Sequence, residues 1–228
     1  YQGYEICDGK YNLKGLPAVY AAEEEAQTLI IYMKDQVTGL QVELLYGVLP
    51  EYDVITRSAK VINTEEDKIR LTKAQAACID FLHGEFDVIS FYGRHAMERN
   101  MQRTSVGHGA FVIGSRRGTS SHQYNPMMIL AEKETTEDAG TCYGMSFVYS
   151  GGFKAEVEKD QFGQTRMQMG LQEEQFSYPL KKGEEFVIPE VILTCSNQGL
   201  EKLSQNLQRC IRKNLCRGKY KEKVTSGR

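Results

Sequence analysis

Three stretches of the chain gather polar-tipped side chains at spacings that chemistry could use. The first runs from Gly114 to Pro126, a long polar segment between apolar runs. Its Arg116, Arg117 and His122 could hold an anion or donate to a sugar hydroxyl, and long polar loops in compact domains often carry function. The plainer role is that the two arginines pair with acidic neighbours and hold the loop, and that role is favoured because most such groups serve structure. The second stretch runs from Phe91 to Arg99. It sets Tyr92, Arg94 and His95 beside Gly93, on or next to a strand, as donors and a stacking face for a sugar. An exposed strand with solvated charges would look the same, and the sequence favours it. The third is Thr135 to Asp138, where Glu137 and Asp138 are adjacent. A retaining glycosidase needs two carboxyl groups about 5–5.5 Å apart across the scissile bond. Neighbours on a strand point to opposite faces, so these two are a poor pair, and an acid in a turn more often caps it.

Other chemistry finds no foothold. Nucleophile-elbow, H-E-x-x-H, phosphate-loop and dinucleotide fingerprints are absent from the sequence. A mutarotase would need a His acid facing a Glu base, and nothing sets a Glu opposite His83, His95, His108 or His122. The six cysteines, Cys7, Cys78, Cys142, Cys195, Cys210 and Cys216, include no C-x-x-C pair. A zinc or redox site is therefore not expected, and the thiols read as reduced, cytoplasmic and mostly buried. No catalytic residue, metal or cofactor is assigned.

The elements that must position these groups are mostly strands. Val42, Leu44, Tyr46 and Val48 alternate with Gln41, Glu43, Leu45 and Gly47. Phe153, Ala155 and Val157 alternate with Lys154, Glu156 and Glu158, and Met167, Met169 and Leu171 with Gln168 and Gly170. Period two marks half-buried antiparallel strands. The unbroken run Leu29 to Met33 predicts a strand covered on both faces. Turn signals at Val37–Gly39, Asn63–Thr64, Ser150–Gly152, Gln161–Gly163 and Lys182–Gly183 separate the runs. One helix is expected, because Leu200, Leu203, Leu207, Ile211 and Leu215 recur at spacings of three and four. Asn197 is its expected N-cap and Gly218 its left-handed C-cap, with Arg212, Lys213 and Arg217 complementing the negative end. The reading is an all-β antiparallel sandwich over residues 1–218 with one C-terminal helix, then a polar linker over 219–228.

Composition narrows the partners. Apolar residues make up 41% and charged residues 25%, with a net charge of −2. That balance gives no pull towards nucleic acid or an anionic membrane, and no apolar run is long enough to span a bilayer. Trp is absent while Tyr numbers 13, which weakens the case for a self-contained sugar pocket built on indole stacking. A chain that begins with Tyr1 reads as an excised fragment or a processed product.

Eight ordered segments carry a family resemblance: Leu16–Tyr20, Asp53–Ser58, Gly114–Gln123 with Asn125–Pro126, Thr135–Asp138, Val148–Gly151, Asp160–Arg166, Pro189–Glu190 and Asn197–Leu200. From about Tyr1 to Tyr220 the chain resembles the N-terminal domain of glycoside hydrolase family 36 α-galactosidases, the melibiase and raffinase type. The resemblance implies a mutarotase-like β-supersandwich that has lost its leading strands and would precede an absent (β/α)8 barrel bearing both catalytic aspartates. It also implies a homo-oligomer, a family tetramer, acting on α-galactosides of the melibiose and raffinose class, with sheet edges left exposed. In tetrameric members a Gly-x-Trp-x-x-Glu-Arg segment sends an aromatic into a neighbour's sugar pocket. The matching segment here is Gly93–Arg99, and His95 stands where that Trp would be, so a hydrogen-bonding role replaces stacking. Two rivals fit the same sequence: a free carbohydrate-binding sandwich, and a domain of a raffinose- or stachyose-forming transferase.

Overall fold

The alternating runs become strands in the computed structural model, which describes residues 1–218 and Lys221. Apart from Lys221, the expected linker 219–228 lies outside the described residues. The strands are β1 (Gly3–Asp8), β2 (Gln27–Lys34), β3 (Leu40–Leu49), β4 (Val54–Asn63), β5 (Ile69–Leu71), β6 (Gln75–Phe81), β7 (Phe86–Arg94) and β8 (Met97–Ser105). They continue as β9 (Gly109–Gly114), β10 (Tyr124–Glu132), β11 (Cys142–Phe147), β12 (Phe153–Lys159), β13 (Thr165–Leu171), β14 (Tyr178–Leu180) and β15 (Glu185–Ser196). Every pairing between them is antiparallel. One large sheet runs β1-β2-β3-β4-β15-β11-β10-β7-β8, a second runs β6-β13-β12-β9, and β14 pairs with β5.

The core lies between the two sheets. Phe153, Ala155 and Val157 of β12 and Met167 and Met169 of β13 are buried, as their alternation predicts, against Val88, Met128, Leu130 and Met145 of the large sheet. Each of the larger of these side chains, Phe, Val, Leu and Met, contributes on the order of 1.5–3 kcal/mol by leaving water. The large sheet is covered on its other face too. Helix α1 (Gly199–Cys210) lays Leu200, Leu203, Leu207 and Cys210 on Ile89, Ile129 and Ile192, and the coil before β2 lays Leu13 and Ala18 on Leu45. This third layer changes two expectations. Leu45 of β3, read as outward-facing, is buried, whereas Val48 on the opposite face is exposed. The run Leu29–Met33 is not covered on both faces: Leu29 to Tyr32 are half-buried and Met33 is exposed. The reason is position, because β2 lies beside the edge strand β1, whereas the second sheet packs on β4, β15, β11 and β10.

The helix covers the expected span, since a π-helical turn (Ile211–Leu215) continues α1. Its caps differ from the prediction. Asn197 does not cap it. The amides of Gly199, Leu200 and Glu201 donate instead to the carbonyls of Gly140, Thr136 and Glu137, each at 3.0 Å. Orphan helix amides need some acceptor, and here tertiary carbonyls supply it, so Thr135–Asp138 serves structure through its backbone. Arg103 locks that loop. Its guanidinium donates to the carbonyls of Thr135 at 2.6 Å, Lys133 at 2.9 Å and Glu132 at 3.2 Å, and to the Asp87 carboxylate at 2.7 Å. Lys133 also donates to Asp87 at 2.5 Å. Gly218 does have positive φ, but the turn closes earlier, where the Cys216 amide donates to the Ile211 carbonyl at 2.8 Å. At this end Lys213 lies 3.5 Å from Glu51, and the Arg217 guanidinium sits 4.4 Å above the Tyr20 ring.

A buried ion pair ties the N-terminal coil to the centre of the large sheet. Lys10 donates to Glu190 at 2.6 Å, both side chains fully shielded, and Glu190 accepts the Val19 amide at 2.8 Å. Burial draws the Lys10 ammonium down to about 8 against the opposing pull of Glu190. Gly47 leaves the space that the Lys10 stem fills. The expectation of mostly buried thiols fails: Cys142 and Cys210 are buried, Cys7 is half-buried, and Cys78, Cys195 and Cys216 are exposed, all six being free. Cys195 lies between buried Thr194 and Ser196, so strand alternation turns it outward.

Candidate functional site

The β7–β8 hairpin presents the second polar stretch at its tip. Arg94 pairs with Met97, which leaves His95 and Ala96 as a two-residue loop. Two-residue hairpin loops call for positive φ, and Ala96 adopts it at 62°, as does Arg99 at 59°. Non-glycine residues seldom hold this conformation, and where they do the surroundings must impose it. Three contacts impose it here. The Glu98 carboxylate accepts the Ala96 amide at 2.9 Å, and the Asn100 side-chain amide donates to the Met97 carbonyl at 2.8 Å. Gly93 sits so close to the returning strand that a Cβ would meet the Met97 carbonyl oxygen and the Glu98 Cα. The locked tip holds Arg94 and His95 in solvent, and Tyr92 is 44% exposed. Arg94 touches the Met97 sulfur at 3.1 Å, whereas His95 takes no side-chain hydrogen bond among the described residues.

The first polar stretch lies directly beside this tip. Its loop leaves β9 at Gly114 and re-enters the sheet at Tyr124, after a turn bridged by Ser121 and Tyr124. The Gly93 amide donates to the Gln123 carbonyl at 3.2 Å, and Tyr92 and Tyr124 are cross-strand partners. Two stretches some twenty residues apart in sequence are thus one surface. The third stretch does not join them.

Arg116 and Arg117 face a cleft of about 550 Å³ that has Tyr124 on one wall and the 172–174 segment on the other. Arg116 pairs with Glu174, as its plainer role anticipated. Lys154, rising from β12, bonds Glu156 at 2.5 Å and Glu173 at 2.6 Å. Its partial burial would lower the ammonium, but the hydrogen bonds it donates to Glu156 and Glu173 prevail and hold it above the ordinary lysine value. The hydrogen bond from Lys154 in turn keeps Glu173 below the usual carboxylate range. Arg117 is exposed and makes no ion pair among the described residues, and His122 is exposed outside the cleft lining. Sequence reasoning missed Lys154, which comes from β12, and Glu173 and Glu174, which come from the loop after β13. The only signal for Lys154 was its outward place in the β12 alternation. Among the described residues no three His, Cys, Asp or Glu side chains converge as a metal site would require, and no helix is long and apolar enough to cross a membrane.

A two-sheet antiparallel sandwich with a helical cover, a rigid polar hairpin tip and a mixed-charge cleft is an all-β domain. Residues 1–181 match the glycosyl hydrolase family 36 N-terminal domain, and the chain belongs to that family. It is 62% identical over 220 residues to the bifunctional alpha-galactosidase/sucrose kinase AgaSK of Mediterraneibacter gnavus, covering 96% of this chain and 24% of that protein. The solved galactosidase domain of AgaSK superposes with a TM-score of 0.95, 61% identity, and coverage of 97% of this chain and 31% of its own. The alpha-galactosidase AgaA of Geobacillus stearothermophilus gives a TM-score of 0.96 at 40% identity, covering 98% of this chain and 31% of that one. The chain therefore spans about a quarter to a third of the length of these relatives.

Proposed function

We propose that this chain is the N-terminal accessory domain, over residues 1–218, of an α-galactosidase that hydrolyses terminal α-galactosides. The observation that carries this reading is near-complete structural agreement with AgaA, which has been solved with raffinose and with stachyose. The whole protein would act by retaining double displacement, using a nucleophile and an acid/base carboxylate placed on the barrel outside this chain. This domain would support a homo-oligomer and shape the substrate pocket. His95, flanked by Tyr92 and Arg94, would reach into a neighbouring subunit's sugar site, a role supported by its exposure on a rigid tip. Six free thiols suit a reducing cytoplasm.

The test compares the whole protein with this chain alone on an aryl α-galactoside, and the whole protein on raffinose with sucrose as acceptor. Hydrolysis by the whole protein and none by this chain is expected. Turnover by this chain would overturn the reading, and net transfer to sucrose would convert it to a transferase.

A further inference from the structure

We propose that the cleft between the Arg116 loop and the 172–174 segment binds a neutral oligosaccharide. Four features lead to that ligand class. The cleft is built in advance: the Ser115 amide donates to the Phe153 carbonyl at 2.9 Å, the Ser115 hydroxyl to the Thr119 carbonyl at 2.6 Å, and the Ser120 amide to the Ser150 carbonyl at 2.7 Å. The loop bearing the arginines is therefore pinned before any ligand arrives, which removes much of the ordering entropy that weakens binding.

The second feature is charge. Arg116 is neutralised by Glu174 and Lys154 by Glu173, so donors and acceptors stand side by side with little net field. A free anion entering here would meet both carboxylates. A hydroxyl both donates and accepts, so it fits between paired guanidinium, ammonium and carboxylate groups. Arg117, exposed and unpaired among the described residues, remains to donate its planar fork to adjacent hydroxyls.

The third feature is an aromatic wall. Tyr124 lines the cleft and is 37% exposed, and Tyr92 continues the same sheet face beside it. A phenol ring offers an apolar face to sugar C–H groups and a hydroxyl to water. The fourth is shape. About 550 Å³ lies within the range of small-molecule sites.

Binding to this chain and turnover by the whole protein are separate measurements, so either can fail without the other. The experiment is a titration of this chain by calorimetry and by two-dimensional NMR, with raffinose in one arm and inorganic phosphate in the other. Expected is saturable raffinose binding with shifts at Arg117 and Tyr124. Arg117→Ala and Tyr124→Ala should each weaken it about two- to tenfold, the loss of one or two contacts. Phe162→Ala, at an exposed ring outside the cleft, should leave it unchanged. Arg117 is exposed and its side chain makes no ion pair among the described residues, so its variant tests the site without threatening the fold. Absence of saturation, binding untouched by both cleft variants, or binding of phosphate in place of raffinose would overturn the proposal.

Discussion

The amide of Gly93 donates to the carbonyl of Gln123 at 3.2 Å, and this bond splices the hairpin tip carrying His95 to the loop carrying Arg116 and Arg117. A Cβ at Gly93 would press on the backbone of Met97 and Glu98 rather than on a movable side chain. Gly93→Ala should therefore open the tip and lower stability by about 1–3 kcal/mol, the usual size of an overpacking strain. Thermal unfolding measures the loss, and a variant as stable as the parent would show that the tip yields.

His95 tests the trans role. In the whole protein His95→Ala should raise KM about two- to tenfold while kcat falls less, because a single hydrogen bond to a bound sugar is removed and the carboxylates are untouched. Steady-state kinetics with raffinose decide it. Unchanged kinetics would confine His95 to the surface of its own subunit.

Asp87 predicts an acid response. Burial raises its carboxyl, but hydrogen bonds from Lys133, Arg103 and Ser105 prevail and hold it below the ordinary aspartate value. A carboxyl depressed in the fold binds its proton more readily when unfolded. Its stabilisation is thus complete above the unfolded value of about 4 and fades as pH drops through the folded value. Urea unfolding of parent and Asp87→Asn should accordingly differ at pH 7 and converge in acid. Arg103→Met, which also strands the Thr135 and Lys133 carbonyls, should lose about 2–4 kcal/mol at pH 7.

Lys10 and Glu190 should be mutually dependent. Lys10→Met leaves Glu190 charged and shielded from water, which should lower stability by about 3–5 kcal/mol. Lys10→Met with Glu190→Gln removes both charges, keeps an acceptor for the Val19 amide and should recover part of that loss. A double-mutant cycle in urea reads the coupling, and additivity would mean that the pair contributes nothing jointly.

What could be read from the sequence follows the range of the interaction. The β12 and β13 alternations are local, and so is the leucine spacing of α1, so these elements stood where the pattern put them. Long-range effects were illegible. Asn197 looked like a cap because nothing in its neighbourhood reveals that Thr136, Glu137 and Gly140 carbonyls reach the helix first. Leu45 looked outward because a coil thirty residues upstream covers it. Of the cleft, Arg116, Arg117 and Tyr124 lay within one recognisable polar stretch, while Lys154 joins it through the pairing of β12 with β9, and Glu173 and Glu174 through the loop after β13. Glu190, visible only as half of a Pro-Glu dipeptide, draws its importance from Lys10 at the other end of the chain.

The strand order has a consequence for synthesis. β4 and β11 are joined by β15, which leaves the ribosome after all the other strands among the described residues. Until it emerges, β1–β4 and the β7–β8–β10–β11 group are separate sheets, each with an unpaired row of backbone groups, at Val54–Asn63 and at Cys142–Phe147. Closing them requires contacts across more than a hundred residues, the kind of pairing that forms slowly. During that interval the nascent chain displays the open edges that recruit foreign strands, so the yield of folded protein should depend on how quickly translation passes Ser196.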